Sequence, residues 1–198
     1  MEDDLDRHAR VGAVVLAGGT GARLGGADKA SIEIGGTTLL ERSLEALLDI
    51  DEVVVVGEPV PTSRPVTFTR EDPAGGGPAA GLLAGLRAFP RTPTWLVVLA
   101  VDMPGVTTAT VRRVTSGQRR DGALLVDDEG HRQPLCAVYV TAALVANRPP
   151  YEEEHGLPLH RLLDGLDLGE VPAEGIESRD VDSWADLREL RQHLDPGA

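Results

Sequence analysis

The sequence predicts an α/β fold, doubly wound around a mostly parallel sheet of Rossmann-like type. Three observations carry this reading. Short apolar runs rich in β-branched residues recur at 11–17, 52–57 and 94–101, each too brief for a helix. Segments with leucines at helical spacing alternate with them, after Thr38 and again after Pro78. Each run also ends in glycines or acidic residues, and open α/β sheets collect their ligands beyond the carboxyl ends of their strands.

The chain of 198 residues is long enough for one domain with a sizeable core, expected over 11–194 and preceded by a frayed arm at 1–10. A net charge of −13 argues against a nucleic-acid partner, which would require a basic footprint. No apolar run approaches membrane-spanning length, and the first ten residues are acidic and polar, unlike a signal peptide. The single cysteine, Cys136, excludes an internal disulfide and sits between Leu135 and Ala137, as a buried small residue would. A reducing cytoplasm is the expected home.

The first strand, 11–17, runs into Leu16-Ala-Gly-Gly-Thr-Gly-Ala-Arg-Leu-Gly-Gly-Ala-Asp-Lys29. Gly18, Gly19, Gly21, Gly25 and Gly26 let the backbone approach an anion closely, so that successive N–H groups can converge on a triphosphate. Arg23 and Lys29 add fixed positive charge. The dinucleotide fingerprint G-x-G-x-x-G fails at Leu24, and the P-loop pattern fails because Lys29 stands between Asp28 and Ala30.

Residues 31–36 read as a short extended segment ending in a Gly-Gly turn. A capping box at Thr38-Leu-Leu-Glu41 opens the first crossover helix, with Leu40, Leu44, Leu47 and Leu48 on its inner face. Strands follow at 52–57 and 66–69, the second ending at Arg70-Glu-Asp72. A second glycine-rich loop, 73–78, leads into a helix that turns Leu82, Leu83, Leu86 and Phe89 inward, and a helix start beside such a loop suits an anion or simply a connection.

The strand at 94–101 delivers Asp102, a carboxylate well placed for a metal and ill placed for burial. Its ordinary alternative, capping the helix near 107–119, can be met by Pro104 and Thr107. Two further strands, 122–126 and 133–140, flank an acidic turn that reads as a solvated hairpin tip. A short helix is expected over 157–163. Asp182 or Ser183 caps an amphipathic last helix carrying Trp184, Leu187, Leu190 and Leu194. Before it, Asp180 and Asp182 stand at i and i+2 of an extended segment, on one side, where they share either a cation or a solvent face.

The pattern L-A-G-G-x-G-x-R-L-G-G-x-D-K resembles the nucleotide-binding signature of the molybdenum cofactor guanylyltransferase family. The run ending Val-Asp102-Met-Pro is similar to that family's metal motif. Asp72 before Gly77-Pro-Ala-Ala-Gly-Leu82 is similar to its acidic residue and turn at the nucleotide. The resemblance implies a mixed seven-stranded sheet, a nucleotide-binding half at about 11–105 and an acceptor-binding half at about 106–194. It implies transfer of GMP from Mg·GTP to molybdopterin-bound molybdenum with release of pyrophosphate.

Arg23, Lys29 and Asp102 are then the catalytic set, and Asp102 holds Mg²⁺ with Asp182. Leu16, Ala17, Gly18, Gly19, Gly21, Lys29 and Asp72 bind the nucleotide, the backbone of Leu16–Gly18 reading guanine. Arg132, Gln133 and Asp180 face the acceptor. The expected partners are GTP, molybdopterin, other proteins of cofactor biosynthesis and recipient apoenzymes, with neither nucleic acid nor membrane. The same fold and metal would serve a cytidylyltransferase acting on the same pterin or a sugar-phosphate nucleotidyltransferase. Outside enzymes, a cofactor carrier or chaperone that kept the scaffold remains open.

Overall fold

The computed structural model describes residues 10–18 and 28–194. Arg23, Gly19 and Gly21, expected at the nucleotide, lie outside them, as does all but the last residue of the arm at 1–10. That last residue is anchored: the Arg10 carbonyl accepts from the N–H groups of Thr94 and Trp95 at 2.8 and 3.1 Å.

Strands β1 (Val11–Leu16), β4 (Glu52–Val56), β5 (Thr67–Thr69) and β6 (Trp95–Ala100) pair in parallel in the order β5-β4-β1-β6. The sheet continues through β8 (Arg132–Val140), β7 (Gly122–Val126) and β9 (Leu168–Pro172), to seven strands with only β8 running antiparallel to its neighbours. A separate hairpin, β2 (Glu33–Ile34) and β3 (Thr37–Thr38), turns through Gly35 and Gly36, both at positive φ. This is the doubly wound, mostly parallel sheet expected from the alternating runs.

Alternation along the strands builds two cores. Ala13, Val15, Val53, Val55, Val97 and Leu99 face one side, under α1 (Leu39–Ala46), α3 (Thr108–Ser116) and α6 (Trp184–Leu194). Val14, Leu16, Val54, Val56, Leu96 and Val98 face the other, under α2 (Gly77–Arg87), α4 (Thr141–Ala146) and α5 (Leu159–Leu162). Helix α2 lies close on the sheet because it presents glycines: a Cβ at Gly85 would fall within 3.0 Å of Val14 and Val56 methyls. Among the described residues, no helix is long and apolar enough to cross a membrane.

Several local expectations change. Thr38 does cap α1, accepting from Glu41 N, but the Glu41 carboxylate turns to Ser63 rather than back to Thr38, so the box is half made. Leu48 falls beyond the helix end and is 67% exposed, whereas Leu40, Leu44 and Leu47 are buried. Trp184, the first residue of α6, is also exposed, while Leu187 and Leu190 hold the buried face. The hairpin tip near Asp127 is self-contained, its carboxylate accepting from the N–H groups of Glu129 and His131. Cys136 is buried as expected, and loss of hydration pushes its thiol up to about 12, far from a reactive thiolate.

Candidate active site

The order β5-β4-β1-β6 places the topological switch between β1 and β6, since the chain leaves β1 toward β4 on one side and later adds β6 on the other. Ligands collect at that point, beyond the carboxyl ends. The ladder runs one residue past β6, Val101 N–H donating to the carbonyl of Leu16, the last residue of β1, at 3.0 Å. Asp102 therefore emerges beside the start of the glycine-rich loop.

Lys29 returns from the far end of that loop. Asp28 caps a 3₁₀ turn, Lys29–Ser31, its carboxylate accepting from Ala30 N and Ser31 Oγ, and so fixes the direction from which Lys29 reaches in. Sequence reasoning passed over Asp28; its signal was the D-x-x-S spacing of a cap. Lys29 Nζ donates to Asp102 Oδ2 at 2.8 Å and to Asp182 Oδ1 at 2.9 Å, and its side chain is only 13% exposed. Burial works against the ammonium's charge, but the hydrogen bonds to Asp102 and Asp182, helped by their negative charge, outweigh it and raise the pKa above the ordinary lysine value. Of the nineteen lysine and arginine residues in the chain, Lys29 alone is lysine.

The acidic arm comes from the other end of the chain. Val181, fully buried, donates its N–H to the Asp102 carbonyl at 2.8 Å, which brings the segment carrying Asp180 and Asp182 alongside Asp102. Asp182 is free for Lys29 because it is not the cap of α6. Ser183 is: its Oγ accepts from Asp186 N, and its N–H donates back to Asp186 Oδ2. Partial loss of hydration, then the neighbouring charges of Asp182 and Asp102, raise the Asp180 carboxyl above the usual carboxylate value. Nor is Asp102 a helix cap, since Thr107 and Thr110 form the capping box of α3.

A buried clamp holds this arm. Glu177 accepts from Thr110 Oγ1 at 2.6 Å and from Arg113 Nη1 and Nη2 at 3.0 and 2.7 Å. Burial alone would raise the Glu177 carboxyl, but these bonds, Arg113's first, hold it below the usual value. Sequence reasoning missed this triad, whose members are scattered over α3 and the loop after β9.

Other expected residues lie further off. Asp72 stands at the end of β5, across β4 and β1 from Lys29, with its carbonyl accepting from Tyr151 Oη at 2.7 Å. It borders a cavity of about 120 Å³ beside α2, where Arg87 binds the buried Glu154 carboxylate. Arg132 and Gln133 open β8 on the same sheet edge as Asp102, and here Arg132 pairs with Glu170 and Gln133 with Asp127. The proposed guanine reading by Leu16, Ala17 and Gly18 needs revision. Both Ala17 N–H and Gly18 N–H already donate to the Val56 carbonyl at 2.9 Å, so the sheet ladder uses the donors that the base's O6 would need.

A doubly wound sheet that gathers one ammonium and an acidic pair at its switch point, beside a glycine-rich loop, defines a nucleotide-handling α/β protein. The chain belongs to the MobA-like NTP transferase domain family, whose model matches residues 13–168, and it is a nucleotidyltransferase by that membership. It is 32% identical over 185 residues to a probable molybdenum cofactor guanylyltransferase of Methanosarcina acetivorans, covering 86% of this chain and 80% of that one. A probable molybdenum cofactor guanylyltransferase of Opitutus terrae is 34% identical over 135 residues, 66% of each chain. Among solved structures, a nucleotidyl transferase from Methanothermobacter thermautotroptrophicus superposes with a TM-score of 0.74 at 22% identity, covering 96% of this chain and 99% of that one.

Proposed function

We propose that the enzyme transfers GMP from GTP to molybdenum-bound molybdopterin and releases pyrophosphate, a reading supported by its two relatives' being named probable molybdenum cofactor guanylyltransferases. The observation that carries this reading is the convergence of Lys29, Asp102 and Asp182 where the glycine-rich loop meets the sheet edge. Residues 11–194 would act as one domain in a reducing cytoplasm, with the nucleotide on the half before about 105 and the acceptor on the half after it.

Magnesium fits the donor set. Asp102 and Asp182 offer hard carboxylate oxygens that already face a single cationic atom. Among the described residues no three His, Cys, Asp or Glu side chains are grouped to hold a metal, so the remaining ligands would be phosphate oxygens and water. When bound, the ion neutralises charge on the triphosphate as it reacts.

The chain's own groups orient and stabilise. Lys29 and Arg23 hold the triphosphate, and the glycine-rich backbone aligns its α-phosphorus with the acceptor. A terminal phosphate oxygen of the pterin attacks that phosphorus in line, the bond to the bridging oxygen of the β-phosphate breaks, and pyrophosphate departs with the electron pair. No protein nucleophile takes part. Asp180, Arg132 and Gln133 face the acceptor side of the same edge, and Asp72 the nucleoside. Incubation with molybdopterin, Mg²⁺ and GTP, followed by assay of pyrophosphate, tests the reading; absence of turnover with competent substrates would favour a carrier.

A further inference from the structure

We propose that Lys29 is the resident cation of the metal site: without nucleotide, its ammonium and a divalent ion compete for Asp102 and Asp182, and the ion enters together with a triphosphate that draws Lys29 away. The proposal rests on the nucleotidyl-transfer reading above. It is carried by geometry. Nζ lies 2.8 and 2.9 Å from one oxygen of each carboxylate, so it occupies the point on which both converge. A magnesium ion bound at about 2.0–2.1 Å to the same oxygens would stand against that ammonium with like charge.

The carboxylates have little freedom to separate and hold both cations. Val181, between Asp180 and Asp182, is fully buried and bonded to the Asp102 carbonyl, and the Asp182 backbone N–H is taken up by Asp186. Nor do the described residues supply a third ligand group that would let a metal outbid the lysine. Phosphate oxygens provide what is lacking on both sides, ligands for the ion and a new anionic partner for Lys29.

The use of lysine agrees with this role. Apart from the five histidines, every other basic position in the chain is arginine. A planar guanidinium bridging two carboxylates is held by a fixed fork, whereas an ammonium on a four-carbon stem is a compact point charge that can swing from carboxylate to phosphate.

The test is a manganese titration of the nucleotide-free protein, with bound ion read by electron paramagnetic resonance. Lys29→Met is expected to bind Mn²⁺ more tightly than wild type, on the order of tenfold, as for a coupling between two ligands of one site. A second readout uses unaltered protein. Lys29 carries the only side-chain amine, so its acetylation rate can be followed by mass spectrometry, and saturating Mn²⁺ should raise that rate several-fold by releasing the ammonium. Unchanged or weaker Mn²⁺ affinity in the folded variant, or an acetylation rate indifferent to bound Mn²⁺, would overturn the proposal. Neither measurement contains nucleotide, so flat titrations beside normal GMP transfer defeat only the competition, while failed transfer beside a positive titration defeats only the reaction assignment.

Discussion

The N–H of Val181 donates to the carbonyl of Asp102 at 2.8 Å, joining the C-terminal acidic arm to the end of β6. One backbone bond thus brings Asp182 to the same ammonium that Asp102 binds. The consequences can be measured residue by residue.

Gly105 packs directly beneath this arm, and a Cβ there would run into the Ile176 carbonyl. Backbone must shift to relieve such a clash. Gly105→Ala should cost about 1–3 kcal/mol, as overpacking does, and should lower turnover by moving Asp182 off Lys29. Thermal melting and steady-state kinetics on the same preparation check both effects; a variant with wild-type melting and turnover would show that the arm is not held this way.

Lys29→Ala should lower turnover by about 10²–10³, the range for losing one group that stabilises transition-state charge. The sheet and both cores remain, so circular dichroism should stay native. Near wild-type turnover would remove Lys29 from the chemistry.

Asp102→Asn keeps the shape of the side chain and loses its charge. The rate should fall and recover in part at higher Mg²⁺, which a magnesium titration of initial rates will reveal. A magnesium dependence identical to wild type would disconnect Asp102 from the metal.

The Glu177 clamp makes stability depend on acid. Its folded pKa is depressed, so its contribution is fully present above the unfolded value and is lost as pH falls through the folded one. Glu177→Gln cannot titrate and should be less stable at pH 7 by about 2 kcal/mol, the scale of hydrogen bonds to a charged group. The gap from wild type should narrow below about pH 4.3, where an unfolded glutamate protonates. Denaturant melts at several pH values will show whether the gap is instead constant.

Much of the fold was legible because the strands β1, β4 and β6 are short apolar runs and the helices α1, α2 and α3 follow leucine or capping patterns. Elements without such marks were missed. Helix α4 has six residues and no side-chain cap, and β9, Leu-Gly-Glu-Val-Pro, is an edge strand whose glycine and proline hide its pairing. At the site, Lys29, Asp102 and Asp182 were legible as separate actors expected to face phosphate and metal. Their binding to one another was not, because the pairing joins residues 73 and 153 positions apart in sequence and depends on the Val181–Asp102 bond. The engagement of Ala17 and Gly18 by Val56 was likewise invisible, since a ladder bond one residue past a strand leaves no mark in composition.

Guanylyl transfer is tested most directly by incubating the enzyme with molybdopterin, Mg²⁺ and each nucleoside triphosphate in turn, with mass spectrometry of the pterin product. A GMP adduct and stoichiometric pyrophosphate are expected, with GTP preferred over CTP and ATP in kcat/KM. A CMP adduct formed with equal efficiency would contradict the assignment of guanine, and no nucleotide adduct with any triphosphate would contradict the transfer itself.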